Sequence, residues 1–216
     1  MNWENALPDL EPSLQIVVLM VLLSMLPLMI VTMTPFLRIS IILGLLRTSL
    51  GTQQIPPNMV VIGMAIILTS YIMGPTLNEI NEKALIPLSN QRITVPQAVG
   101  EAYKPLRRFM LKQTETKDLA FFYRLSNTPN PKSPDEVEFR PLISAFLLSE
   151  LRTSFQIGFL IFIPFLVIDL IIANILLALG MIMLSPTIVS LPFKLLIFVA
   201  VDGWSLIIKG LVQSFN

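Results

Sequence analysis

Six charged side chains stand alone inside apolar stretches of the chain, and they are the first candidates for chemistry. A charge at the centre of a membrane helix costs about 3 kcal/mol or more unless a partner compensates it. Such a residue is therefore expected to serve an ion pair, an ion-binding site or a protein contact. The six are Arg38, Arg47, Asp169, Lys194, Asp202 and Lys209.

The sequence offers little for catalysis. It has no histidine and no cysteine, which excludes an imidazole base, a thiol nucleophile and the usual soft metal ligands. Asp169 and Asp202 are carboxylates in apolar surroundings, as in an intramembrane aspartyl protease, but neither has a supporting motif and each has a lysine nearby. No glycine-rich phosphate loop occurs. We therefore expect no enzyme and no cofactor. A stand-alone secondary transporter or ion carrier that uses Asp169 is the alternative to a protein-assembly role.

Asp169 and Lys194 lie at equal distances along the chain from a predicted turn between Met181 and Ile182. In a hairpin of two helices they would lie at similar depth, each about 18 Å from the tip. An ion pair within the hairpin or between subunits would compensate both charges. Separate solvation of the two groups by channel or interfacial water is the alternative.

Two further patterns lie in the same C-terminal region. Asp202 and Lys209 are seven residues apart, so one continuous helix would place both on one face and favour a protein partner. A lysine that snorkels to the membrane edge is the alternative. At the turn, Met181, Ile182 and Met183 form an apolar tip that could close a pore, because methionine adapts to irregular surfaces. The alternative is that these three residues are ordinary apolar residues without a special role.

The elements that carry these residues are predicted to be membrane helices. Hydrophobic residues make up 54% of the 216-residue chain and charged residues only 13%, about half the usual share. A net charge of +1 gives no indication of nucleic-acid binding. Four runs contain no acidic or basic residue: 13–37, 48–78, 153–168 and 170–193. Most of them approach or exceed the length of about 20 residues that spans a bilayer core.

The predicted fold is all-α and membrane-associated, with long kinked helical hairpins and a polar helical middle. Its segments are an acidic N-terminal piece (1–12), a first apolar hairpin region (13–78), a polar extracytoplasmic domain (79–140) and a second apolar hairpin (141–216) with a methionine-rich tip near 181–186. Arg38 and Arg47 place the first connection in the cytoplasm. The N-terminus lacks the basic region of a signal peptide, so we expect no cleavable signal there.

Several helix boundaries follow from local signals. Thr94 and Gln97 form a capping box, which predicts a helix to about Gln113. Another helix is predicted over 116–126. The second hairpin should contain a helix from Pro141 to about 180, kinked at Pro164, and one continuous final helix over 192–214.

Several long motifs resemble the FliP/SctR family of type III secretion export gate subunits, in the family's order. They read LRTSLGTQQIPPN (46–58), SELRTSFQIG (149–158), PFLVIDL (164–170), LGMIMLSP (179–186), LPFKL (191–195) and VDGW (201–204). The resemblance adds Glu150 and Arg152 to the candidate contact residues, and it covers nearly the whole chain.

The resemblance implies a pore subunit rather than an enzyme. Family members form a ring of five with FliQ-like and FliR-like subunits, alongside FlhA-like and FlhB-like export proteins. The ring would sit in the bacterial cytoplasmic (inner) membrane, in a flagellar basal body or an injectisome base. Unfolded protein substrates would pass through it, and it would template assembly of its neighbours. The tip at 181–183 resembles the family's pore gasket, and Asp169 and Lys194 match its charged positions.

Overall fold

The computed structural model of the protein describes residues 12–52, 55–129, 131 and 133–215. All regular elements in this part of the chain are helical, which confirms the predicted class. The expectation about a signal sequence falls on residues 1–11, outside the described residues. The α-helices are α1 (Pro12–Met33), α2 (Phe36–Ser49), α3 (Asn58–Ile72), α4 (Gly74–Ile80), α5 (Ile86–Ser89), α6 (Val95–Gln113), α7 (Thr116–Leu125), α8 (Phe139–Ala178), α9 (Pro186–Ala200) and α10 (Gly203–Gln213).

The chain forms two compact units. The first comprises Met1–Thr34 and Met73–Leu147, and the second comprises Pro35–Ile72 and Leu148–Asn216. A π-helical turn (Asn81–Leu85) joins α4 to α5, and a 3-10 turn (Pro134–Glu136) precedes α8. The four segments predicted from sequence describe composition and membrane sidedness, and they stay a prediction.

The first unit packs the polar helices around a small apolar core. Tyr123 on α7 is buried, and its hydroxyl accepts a hydrogen bond of 2.7 Å from the Glu138 backbone N–H just before α8. The predicted capping box is present, because the Thr94 N–H donates to Gln97 Oε1 at 2.9 Å, and α6 ends at Gln113 as predicted. The core comprises Met33, Met110, Tyr123, Val137, Leu142 and Phe146.

The second unit is built on a hairpin of α8 and α9. The two helices are joined by residues 179–185, so the turn lies where the sequence predicted it. Pro164 lies inside α8 and leaves it a single 40-residue helix. Leu46 and Leu50 of α2 form a buried cluster with Phe165 of α8 and Phe198 of α9.

The prediction of one continuous final helix is wrong. α9 begins at Pro186, and the chain bends by 65° between α9 and α10. Asp202 takes a left-handed conformation (φ 49°) at this break. A Cβ on the next residue, Gly203, would lie 2.2 Å from the Phe198 ring. A glycine is therefore required where the chain turns back against its own helix.

One helix by itself could cross a membrane. Among the described residues, α8 is long and apolar enough to do so, and up to four spans result if each of three bent helix pairs counts as one. Much of this apolar surface is uncovered within the chain: Phe159 on α8 is 69% exposed and Ile188 on α9 is 74% exposed. Such a surface is typical of a protein that contacts lipid or other subunits.

Candidate functional site

Asp169 of α8 and Lys194 of α9 are brought together. Lys194 Nζ lies 2.7 Å from Asp169 Oδ2, although Lys194 is only 2% exposed. The hydroxyl of Ser190, one turn before Lys194, donates to Asp169 Oδ1 at 2.5 Å. The pair lies within one chain and links the two arms of the hairpin, which is one of the arrangements left open by the sequence.

The same lysine also joins the hairpin to α2. Lys194 Nζ donates to the backbone carbonyl of Ser49, the last residue of α2, at 3.1 Å. Carbonyls in the last turn of a helix lack intrahelical partners and carry partial negative charge, so a cation there is favourable. Gly51 follows with φ 79°, and its missing Cβ would lie 4.0 Å from Lys194 Nζ. A left-handed glycine thus ends α2 beside the ammonium group.

Arg38 and Glu150 form a second charge pair, between α2 and α8. Arg38 Nε donates to Glu150 Oε2 at 2.8 Å, and Nη2 donates to Oε1 at 2.5 Å. Arg38 is 2% exposed and Glu150 is 0% exposed. Paired N–H bonds to both carboxylate oxygens give a strong and strongly oriented contact.

Arg38 also holds the segment that follows α10. Its Nη1 donates to the Ser214 carbonyl at 3.0 Å and lies 3.2 Å from Ser214 Oγ. Its guanidinium carbon lies 3.9 Å from the centre of the Phe215 ring, a cation–π contact. One buried arginine therefore joins three segments that are far apart in sequence.

The other two candidate arginines differ in role. Arg47 Nη1 donates to Asn58 Oδ1 at 2.5 Å, which ties the end of α2 to the first residue of α3. Arg152 lies half-buried on α8, two residues after Glu150. Neither belongs to the two charge pairs described above.

The remaining predicted residues lie on the surface of the chain. Met183 is 100% exposed and Ile182 is 80% exposed, with Met181 beside them in the same turn. Asp202 and Lys209 are both exposed, but Asp202 lies at the break before α10 rather than inside a helix. The continuous helix on which their shared face was predicted does not form, and a protein contact at these two residues stays a prediction.

Sequence reasoning missed the partners of the buried charges. Ser190 and the Ser49 carbonyl complete the lysine site, and Ser214 and Phe215 complete the arginine site. Ser190 carried a usable signal, because it lies four residues before Lys194 and faces the same side of α9. The assembled groups make charge-assisted hydrogen bonds that hold helices together.

The sequence model of the FliP family matches residues 19–211. The chain belongs to the FliP family. This assignment confirms the resemblance carried by the motifs. The two charge pairs, the hairpin turn and all of α2 to α9 lie inside the region matched by the FliP model.

Relatives named Flagellar biosynthetic protein FliP match the chain over nearly its whole length. The protein of Bacillus subtilis (strain 168) is 46% identical over 207 residues, covering 96% of this chain and 94% of that protein. The protein of Pectobacterium carotovorum subsp. carotovorum is 48% identical over 203 residues (94% and 79%). The protein of Aquifex aeolicus (strain VF5) is 39% identical over 210 residues (96% and 88%).

Proposed function

We propose that the chain is a subunit of the flagellar protein export apparatus in the bacterial cytoplasmic membrane. Copies of it would enclose a closed conduit for unfolded export substrates and template the assembly of neighbouring gate proteins. The relatives that support the flagellar role carry the name flagellar biosynthetic protein and align with 94% to 96% of this chain.

One observation carries the assembly role: the hairpin satisfies its buried charges internally and leaves its apolar flanks uncovered. Lys194 and Arg38 have their carboxylate partners in the same chain. Between Thr153 and Ala200 the only charged side chains are the paired Asp169 and Lys194, and most of the outer surface of α8 and α9 is apolar, as Phe159 and Leu196 illustrate at 69% and 68% exposure. When two such apolar surfaces from different copies pack together, no charged group loses its water, so association has no ionic desolvation penalty.

The conduit itself would be closed by the turn between α8 and α9. Met181, Ile182 and Met183 project from the hairpin with 48%, 80% and 100% of their surface exposed. In a ring, these tips would meet at the axis. Flexible thioether side chains can seal an opening and still yield to a passing chain.

The partners proposed for the ring are FliQ-like and FliR-like gate subunits and FlhA-like and FlhB-like export proteins. Five copies of this chain are expected from the family resemblance. Its own contribution would be assembly and closure rather than catalysis, with the driving energy supplied by other components.

The ion-carrier alternative is disfavoured by the surroundings of Asp169. A carboxylate that carries a cation needs free oxygens and an uncompensated negative charge. Here one oxygen lies 2.7 Å from the Lys194 ammonium and the other accepts from Ser190. The site is already neutralised by the protein.

Native mass spectrometry after mild detergent extraction, with the partner genes co-expressed, tests the proposal. We expect a complex that contains about five copies of the chain. Phe159→Glu should reduce it to smaller species, because the change places a charge on the apolar flank of α8. Lys104→Glu, on an exposed polar helix, is the matched control and should leave the complex intact. A fully functional single copy would contradict the proposal.

A further inference from the structure

The helices α3 and α10 flank an open groove in the second unit. The groove has a volume of about 510 Å³. It is separate from both charge pairs and from the hairpin turn. Its walls are Ile67, Leu68 and Tyr71 on α3, and Ile208, Lys209, Val212 and Gln213 on α10.

The walls of the groove are mostly apolar and carry a few side chains that can donate hydrogen bonds. Ile67 is 69% exposed and Tyr71 is 73% exposed, so the walls are open to a ligand. Lys209 and Gln213 are also exposed, one helical turn apart on α10. Lys209 forms no ion pair with any residue that the structure describes. The Lys209 ammonium is thus a cation without a carboxylate partner at the side of the apolar groove.

The helices that flank the groove indicate that its ligand comes from the membrane. α3 and α10 each belong to a bent helix pair that is apolar and long enough to count as one membrane span. Lys209 lies four residues before the end of α10, so in a bilayer its ammonium can reach the lipid headgroups while its methylenes cover apolar area. Basic side chains at this level attract anionic lipids.

We propose that this groove binds one anionic phospholipid. An acyl chain lies against Ile67, Leu68, Ile208 and Val212, and Lys209 binds the phosphate. The Tyr71 hydroxyl and the Gln213 amide supply neutral donors in the same groove. This goes beyond the export role, because the groove would hold the lipid whether or not the chain forms a conduit.

Trp204 provides a reporter inside the same helix. It lies four residues before Ile208 on α10, on the same side of the helix, and it is 37% exposed. The chain has two tryptophans, so Trp3→Phe leaves Trp204 as the single emitter. The full chain with this change is titrated in detergent with phospholipids that carry bromine on the acyl chain, which quenches nearby tryptophan.

We expect brominated phosphatidylglycerol to quench Trp204 at a concentration about fivefold lower than brominated phosphatidylcholine, the factor for one cation near a phosphate. Lys209→Gln should abolish that preference, and Lys209→Arg should keep it. Lys104→Gln is the matched control, since Lys104 is exposed on a polar helix and paired with Glu101 at 2.6 Å. It should leave the preference unchanged.

Ile67→Ser tests the apolar wall of the groove separately and should weaken quenching by both lipids. The proposal fails if Lys209→Gln keeps the preference or if Ile67→Ser leaves both titrations unchanged. It also fails if a photocrosslinking residue in place of Ile67 captures a second copy or a partner protein instead of lipid. Any of these results would leave the proposed export role intact.

Discussion

The buried pair of Arg38 and Glu150 should dominate the stability of the second unit. We consider Glu150→Gln, which keeps the size of the side chain and removes its charge. Arg38 then stays 2% exposed without a carboxylate, although it keeps its bonds to Ser214. Removing one partner of a buried ion pair lowers the free energy of unfolding by about 3–5 kcal/mol. For a chain of this size that corresponds to a fall in melting temperature of about 6–20 °C.

Replacement of both partners should cost less than replacement of one. Arg38→Met alone leaves the Glu150 carboxylate buried and also removes the hydrogen bonds to Ser214, each worth about 0.5–1.5 kcal/mol. Arg38→Met with Glu150→Met leaves no buried charge, and apolar replacements of buried pairs are often neutral. We expect the double variant to melt above either single variant, with a coupling free energy of about 2 kcal/mol or more.

The assay is thermal unfolding of the purified protein in one mild detergent, followed by tryptophan fluorescence. The exposed pair of Lys104 and Glu101 provides the control, because neutralising Glu101 should change stability by less than about 1 kcal/mol. Two results would refute the reasoning. One is a Glu150→Gln variant that melts within about 2 °C of the parent, and the other is a double variant whose loss equals the sum of the single losses.

Three shorter predictions concern the hairpin. Glycine at both Met181 and Met183 should make the conduit proposed above leak small ions in its closed state, measured as membrane conductance; unchanged conductance would count against a gasket. Asp169→Ala should lower the melting temperature more than Asp169→Ala with Lys194→Met, because the single change leaves a buried ammonium that costs about 3 kcal/mol; additive losses would exclude a coupled pair. Gly158→Val should destabilise by about 1–3 kcal/mol, since a Cβ alone would lie 2.2 Å from a leucine methyl group of α2 and valine adds two further methyl groups there; an unchanged melting temperature would contradict that close packing.

Local signals in the sequence predicted the features that depend on neighbouring residues. The capping box at Thr94 fixed the start of α6, because its hydrogen bonds join residues three apart. The turn between α8 and α9 followed from glycine and proline at its ends. Asp169 and Lys194 were predicted at similar depth because they lie symmetrically about that turn.

Features that depend on contacts between residues far apart in the chain could not be predicted from the sequence. Arg38 and Glu150 are 112 positions apart, and no periodicity indicates that they meet. The break between α9 and α10 needed the Phe198 ring packed against Gly203, which propensity alone does not show. The dipeptide Asp202–Gly203 was nevertheless a turn signal that could have suggested it.

The length of α8 has a consequence for how the protein reaches its final place. Its 40 residues extend for about 60 Å, twice the thickness of a bilayer core. The mainly apolar stretch from Phe155 to Leu177, whose one charged residue, Asp169, is paired with Lys194, measures about 33 Å, which matches one bilayer core. If the proposed assembly is right, a newly made copy can rest in lipid without mismatch until other subunits cover the same surface. Insertion and assembly would then use one apolar surface in succession.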